Sequence, residues 1–225
     1  EAQRSGFTID QAVLERGINF LYNWMQQSTT DEPKQRDSLA TVLYTLAEAG
    51  RGDLGRTVAL YDKRAGMSLY ARAYLAMTLQ LLDPKETSRL NTLVSEFSNA
   101  AILSATGAHW EEETTDPWAM NTDTRTTAIV LRALIRLQPD NDLLPNVVRW
   151  LMVARSSGRW ETTQENVWAI LALTDYMAST GELLADYHYD LTINGVNQAS
   201  ADVTQDTVDE SVQVQVPVGD LQRGA

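Results

Sequence analysis

The stretch Gly158–Leu173, GRWETTQENVWAILAL, has a counterpart in Gly107–Leu134, GAHWEEETTDPWAMNTDTRTTAIVLRAL. Each runs from a glycine through a tryptophan and a polar stretch into a helix rich in small and aliphatic residues. No other feature of the chain constrains its fold as strongly. A unit that repeats and cannot bury its apolar face alone has to stack on its neighbours. The register extends upstream: the motifs YTL, LAM, RAL and LAL end at Leu46, Met77, Leu134 and Leu173, at spacings of 31, 57 and 39 residues. Spacings in the thirties suit one helical hairpin per repeat, and the long interval holds the first tryptophan loop.

Hydrophobic periodicity fills in the helices. Leu14, Gly17, Ile18, Leu21, Trp24 and Met25 recur at helical spacing behind a cap at Thr8 or Asp10. Pro33 opens a second helix that Gly50 stops, and a short third carries Leu54, Val58 and Tyr61. Ser68 caps a fourth. Pro84 opens a fifth that runs through Phe97 to Ala101 and Ile102, and a loop is expected from about 105 to 121. Three further helices follow, giving about eight. Those bearing the motifs are rich in Ala, Leu and Tyr and are placed inside; the more charged ones are placed outside. The expected fold class is mainly α: helical hairpins of an α/α toroid, possibly incomplete, or an open solenoid, followed by a short β segment.

The period changes at Tyr187. Tyr187, Tyr189, Leu191 and Ile193 alternate, Asn194-Gly195 is a two-residue turn signal, and Val212, Val214, Val216 and Val218 alternate again. The expected division is a helical region over 1–183 and a β segment over 184–225. That segment has too few strands for an independent sandwich and is read as the start of one. The chain opens on EAQRSGFTID and stops at DLQRGA within that segment, so it is expected to be a piece of something longer.

Composition excludes several functions. A net charge of −12 disfavours nucleic acid and anionic lipid. With no cysteine there is no disulfide, thiolate metal site or cysteine nucleophile within the chain. No apolar run approaches the roughly 20 residues that span a bilayer.

Candidate sites are weighed against plain structural roles. Glu111, Glu112, Glu113 and Asp116 have the chemistry of a cation or catalytic-carboxylate site, but a charge run is usually a solvated loop. Asp140-Asn141-Asp142 has the chemistry to coordinate Mg²⁺, as in a terpene-cyclase-like toroid, but it sits where Asp and Asn cap and turn. His109 and His188 lack the partner spacing of a zinc site and assemble no triad. Arg51-Gly52-Asp53 reads as a glycine C-cap followed by an aspartate N-cap. The residues singled out are structural ones at hairpins and helix mouths: Trp110, Trp118, Gly158, Trp160, Gln164 and Trp168. The tryptophans either stack on sugars or plug the wedge between hairpins. A packing role recurs in every repeat, so the plug is preferred. No catalytic, cofactor-binding or metal residue is assigned.

WLMVARSSGRWETTQENVWAILALTDYM resembles the segment that closes the helical thioester domain of bacterial alpha-2-macroglobulins; TDTRTTAIVLRALIRLQPDNDLLPNVVRWL and MSLYARAYLAMTLQLLD resemble segments before it. The resemblance covers roughly Ala12 to Tyr176. It implies part of a protease-trapping inhibitor with no enzymatic activity of its own, acting as a scaffold around a thioester. The parent would bind target proteases and reside in the periplasm or on the cell surface. The family's C-x-E-Q motif is absent, so a thioester would lie upstream or be missing. The alternatives are a carbohydrate-active α/α-toroid enzyme and a helical-repeat protein-binding module.

Overall fold

A computed structural model describes residues 2–3, 5–113, 119–182, 186–208 and 210–221. The chain is mainly α with a short β segment at its end. Its elements are α1(Gln11–Gln27), α2(Pro33–Glu48), α3(Leu54–Tyr61), α4(Leu69–Leu82), α5(Thr87–Ala100), β1(Ile102–Ser104), β2(Gly107–His109), α6(Asp123–Leu137), α7(Leu144–Val153), α8(Thr163–Thr180), β3(Tyr187–Ile193), β4(Val196–Val203) and α9(Val218–Leu221). They fall into two compact units, Glu1–Leu173 and Thr174–Ala225, with the boundary inside α8. No helix among the described residues is long and apolar enough to cross a membrane.

In the first unit α2 packs on α4 and α4 on α6. The odd-numbered helices sit outside this row: α1 on α2, α3 on α2 and α4, α5 on α4 and α6, α7 on α6. Burial explains the layering. Ten residues of α4 and eleven of α6 are buried, so these helices meet protein on most sides. On α5 the buried set is Leu90, Leu93 and Phe97, and on α7 it is Leu144, Val147 and Leu151. Both are i, i+3, i+7 stripes, the mark of a helix with one face inward. Leu46, Met77 and Leu134 are fully buried and Leu173 half-buried.

The helix starts follow the chemistry of their first residues, with two corrections. Asp10 accepts from the backbone N–H of Ala12 and Val13, Pro33 stands at the start of α2, and Asp53 accepts from the N–H of Arg56. The glycine that ends α2 is Gly50, at φ +73, rather than Gly52. At Gly52 a Cβ would lie 2.4 Å from Leu82 Cδ2, so the end of that leucine side chain would have to move. Ser68 precedes α4 but makes no side-chain cap, because its hydroxyl donates instead to Asp37.

The fifth helix starts at Thr87, three residues beyond Pro84, and stops at Ala100. Ile102, expected in it, begins a short antiparallel hairpin in which Ile102 pairs with His109 and Ser104 with Gly107. Part of the expected loop is therefore strand. The cause is tertiary: β2 packs on α7. At Gly107, φ is +131 and a Cβ would lie 2.2 Å from Asn146 O and 2.8 Å from Trp150 N.

In the second unit β3 and β4 form one antiparallel ladder with an irregularity at Leu191/Thr192, turned by Asn194 and Gly195 at φ +50 and +78. These are the values of a type I′ hairpin turn. Of the alternating valines, Val212, Val214 and Val216 lie in no strand among the described residues, and Val218 opens α9. Alternation makes a segment two-faced, but a strand also needs a hydrogen-bonded neighbour.

Gly107→Ala is expected to destabilise the first unit by about 2 kcal/mol or more, from a backbone clash together with an unfavourable φ. Urea denaturation monitored by tryptophan fluorescence would measure it, and an unchanged midpoint would show that β2 does not need to lie this close to α7.

Candidate functional site

Of the residues singled out in the sequence, Trp110 lies between the end of α5 and the start of α6, and Trp160 between the end of α7 and the start of α8. Trp110 is fully buried between α5 and α6. Its indole N–H donates to Phe97 O on α5 at 2.8 Å. Its backbone N–H donates to Thr127 Oγ1 on α6 at 3.0 Å, and the same hydroxyl donates to Trp110 O at 3.3 Å. Trp160 repeats the arrangement. Its indole N–H donates to Leu151 O on α7 at 3.0 Å. Its backbone N–H donates to Asn166 Oδ1 on α8, and Asn166 Nδ2 donates back to Trp160 O. Each tryptophan thus ties one helix to the next, α5 to α6 and α7 to α8, with its polar atoms satisfied by protein.

Gly158 supplies the turn before Trp160. It sits at φ +80 beside Ser157 at +53, inside a two-residue hairpin closed by Ser156 and Arg159. Gln164 is half-buried in the first turn of α8. Trp168 meets Tyr74 edge-on at 5.6 Å, and the Arg132 guanidinium lies 5.6 Å from its ring centroid. Trp118 and Asp116 lie outside the described residues.

Three carboxylates, none of them singled out individually, connect these helix starts. Asp37 on α2 accepts from the Ser68 hydroxyl at 2.6 Å and from its N–H at 3.1 Å. Glu112 accepts from the N–H groups of Leu69 and Tyr70 at the start of α4, and from Thr126 Oγ1 on α6 at 2.9 Å. Its own N–H donates to Asp123 Oδ1. Glu165 accepts from Thr162 N–H while Thr162 Oγ1 accepts from Glu165 N–H, a capping box at the start of α8. The other oxygen of Glu165 takes the Thr122 hydroxyl, at the cap of α6, at 2.6 Å. Glu112 is therefore not part of a solvated acidic loop: two amide groups at the start of α4 and the Thr126 hydroxyl on α6 draw it in. Glu111 is exposed and lies 3.1 Å from His109 Nε2. Both oxygens of Asp37, Glu112 and Glu165 already accept hydrogen bonds, which suits positioning rather than proton transfer.

Aromatic rings and arginines fill the space along the inner helices. Tyr44 stacks on Tyr74 at 5.1 Å, and Tyr70 meets Tyr74 edge-on at 6.1 Å. The Arg125 guanidinium lies 4.8 Å from the Tyr70 ring centroid, and its Nε and Nη1 are buried without a hydrogen-bond partner. Burial raises the Tyr44 hydroxyl to about 12 and pushes those of Tyr70 and Tyr74 well above the ordinary phenol value. All three remain protonated near neutrality and serve as packing groups. His109 stacks on Trp150 at 4.5 Å, nearly parallel. His188, on β3, is paired through Nδ1 with Asp202 at 2.7 Å, and that bond raises its pKa. Asn141 Oδ1 accepts from Leu143 N–H in the turn before α7. Among the described residues no group of three or more His, Cys, Asp or Glu is placed to hold a metal ion.

Burial raises the Asp37 carboxyl, and the two Ser68 bonds oppose that shift without overcoming it. A raised folded pKa means that ionisation costs more folded than unfolded. The penalty is absent below the unfolded value of 3.8 and appears as pH rises through the folded one. Asp37→Asn retains an acceptor for Ser68 N–H and removes the charge. Its stability relative to wild type is expected to increase with pH above about 4 and then level off. Urea melts at several pH values test this, and a relative stability that falls with rising pH would contradict it.

Comparison with known proteins accounts for the repeat. The model of the family described as A-macroglobulin TED domain matches residues 54–176. The crystal structure of Salmonella alpha-2-macroglobulin reacted with methylamine is similar, with a TM-score of 0.62 and 18% identity over 92% of this chain and 14% of that one. Escherichia coli alpha-2-macroglobulin activated by porcine elastase gives 0.57 and 15% identity, over 92% and 18% of the two chains. Native E. coli alpha-2-macroglobulin from domain MG7 to the C-terminus gives 0.56 and 12%, over 92% and 33%. At these identities the likeness is one of fold, and the chain spans a third or less of each of these structures. No protein of curated function matches it.

Proposed function

The chain belongs to the A-macroglobulin TED domain family, and on that premise we propose that it is a segment of a bacterial alpha-2-macroglobulin-like inhibitor that traps proteases. The match over residues 54–176 carries this reading. The helical hairpins form part of an α/α toroid, a non-catalytic scaffold that shields or presents a thioester lying upstream. The β segment over 184–225 begins a sandwich domain that follows the helical region over 1–183. The parent engages proteases and acts outside the cytoplasm, in the periplasm or at the cell surface.

The helix starts support a scaffold. Every hydrogen bond of the three capping carboxylates joins or closes helices, and both buried indoles donate to backbone carbonyls of neighbouring helices. Trp110 and Trp160 offer no free N–H and little ring face to a sugar, which favours packing over a carbohydrate site at these positions. An electrophilic acyl group must be kept from water until it is needed, and a tightly tied array of helices serves that purpose. The chain holds no cysteine, so the thiol of such a thioester comes from elsewhere in the parent.

The Salmonella relative was crystallised after reaction with methylamine. The native full-length parent of this chain is expected to take up one methylamine and release one thiol, read by intact mass and thiol titration. An unchanged mass with no thiol released would remove the thioester from the reading and leave trapping by enclosure alone.

A further inference from the structure

The β3–β4 ladder has two unlike faces. Tyr187, Tyr189 and Leu191 stand on one, and His188 and Asp190, between them in sequence, stand on the other. Beyond β4 the chain returns beside the tyrosines and forms with them a cleft of about 440 Å³, with Val212 and Val214 on its far wall. Tyr187 is 55% exposed and Val212 60%, so this apolar surface faces solvent. The returning stretch, SVQVQV over 211–216, makes no backbone–backbone hydrogen bond with another described residue. Its valines alternate as a strand requires, and its peptide groups are open to a neighbour. A lone hairpin is marginal in water, so a unit built on β3 and β4 needs further strands.

Charge states which kind of strand fits. Asp190, Asp202 and Glu210 also line the cleft. Among the described residues of this unit only His188 can oppose them, with Nδ1 2.7 Å from Asp202 and Nε2 3.6 Å from Asp190. Three carboxylates against one imidazole leave the rim negative in either state of the ring. From Thr174 to Ala225 nine acids face one arginine, Arg223, so the unit carries −8 of the chain's net −12. An acidic strand, or a second copy of the same unit, would be repelled.

We propose that the cleft seats a basic β-strand from the parent chain outside these residues. Its backbone pairs with 211–216, its apolar side chains enter between Tyr187 and Val212, and its lysines or arginines meet Asp202 and Glu210. The inference rests on the reading of this chain as a segment of a longer protein. A strand tethered in the same molecule acts at about 10⁻³ M, so it occupies the cleft ahead of a separate partner at about 10⁻⁶ M. Opposite charges facing each other across neighbouring strands are stabilising and like charges are not, so the acids select the strand and help to fix its register.

Hydrogen exchange read by mass spectrometry on the purified full-length parent tests this, with Glu210→Lys beside Glu210→Gln. Glu210 is exposed and lies outside the β3–β4 ladder. The amides of 212–216 are expected to exchange at least about a hundredfold more slowly than in an unpaired chain, at every protein concentration. E210K is expected to lower that protection about threefold, beyond any loss in E210Q, with β3 and β4 unchanged. Exchange at the unpaired rate would overturn the proposal. So would protection that disappears on dilution, since the strand would then come from a second molecule, and so would equal protection in E210K and E210Q, since the strand would then not be read by its charge. Methylamine uptake is scored separately: a parent that fails it loses the thioester and keeps this strand, and a parent that fails here keeps the protease-trapping reading.

Discussion

The helical unit depends on how each hairpin is fastened to the next, and that work falls to an indole N–H directed at a backbone carbonyl. The last turns of α5 and α7 leave carbonyls without helical partners or with distorted ones, because every helix end leaves groups that its own ladder does not satisfy. Trp110 meets Phe97 O and Trp160 meets Leu151 O, each across the gap to an outer helix. The same residue is held on its backbone side by the following helix, through Thr127 in one case and Asn166 in the other. Thr and Asn differ in size and chemistry, yet each supplies a donor and an acceptor. The clamp conserves hydrogen-bond geometry rather than residue identity. It combines a large apolar burial with directional bonds, so it fixes both the distance and the rotation between layers.

The carboxylates finish what the tryptophans begin. Helix starts expose amide groups that favour negative charge, and three of them lie close together where α4, α6 and α8 begin. Asp37, Glu112 and Glu165 link elements: α2 to the start of α4, the tryptophan loop to α4 and α6, and α8 to the cap of α6. Burying Asp37 is costly, as its raised pKa indicates. The arrangement persists because a missing carboxylate would leave amide groups unsatisfied at a helix start, which costs more than the imperfect burial of one charge.

What could be read from the sequence follows the range of the interactions. Periodicity located most of the helices, because each stripe reports its own burial, and Asn194-Gly195 located the β3–β4 hairpin, whose turn is local. The helices that bear the repeated motifs were placed inside for their Ala, Leu and Tyr; α4 and α6 are buried on most sides, whereas α8 buries only Glu165, Ala169 and Ala172. Long-range constraints were invisible. Glu112 caps a helix 42 residues before it, and no local pattern distinguishes it from Glu111 and Glu113. The β1–β2 hairpin escaped because its reason is the surface of α7, reached only through Gly107. The failed cap at Ser68 has the same origin: the hydroxyl went to Asp37, 31 residues away. The box Thr162-Thr163-Gln164-Glu165 was local and legible, and it points to Glu165 rather than Gln164 as the residue that closes the start of α8.

Arg125 shows the cost of building such an interior. It leaves the first turn of α6 and lies against Tyr70, with two donor atoms buried and unpartnered. A guanidinium over an aromatic face recovers part of its lost hydration, since the ring is negative where the cation sits. It does not recover the hydrogen bonds. Arg132 and Arg136 follow on the same face of α6, one near Trp168 and one on Glu48 and near Tyr44. Three cations in a row would repel one another in an apolar core. Here tyrosine and tryptophan faces from α2, α4 and α8 are interleaved with them, and the capping carboxylates stand at one end of the row. The inner helices are held by a charge pattern as well as by aliphatic packing. A slip of α6 by one turn would place each arginine against the wrong ring, so this pattern fixes the register along the helix axis while the tryptophan clamps fix the separation between layers.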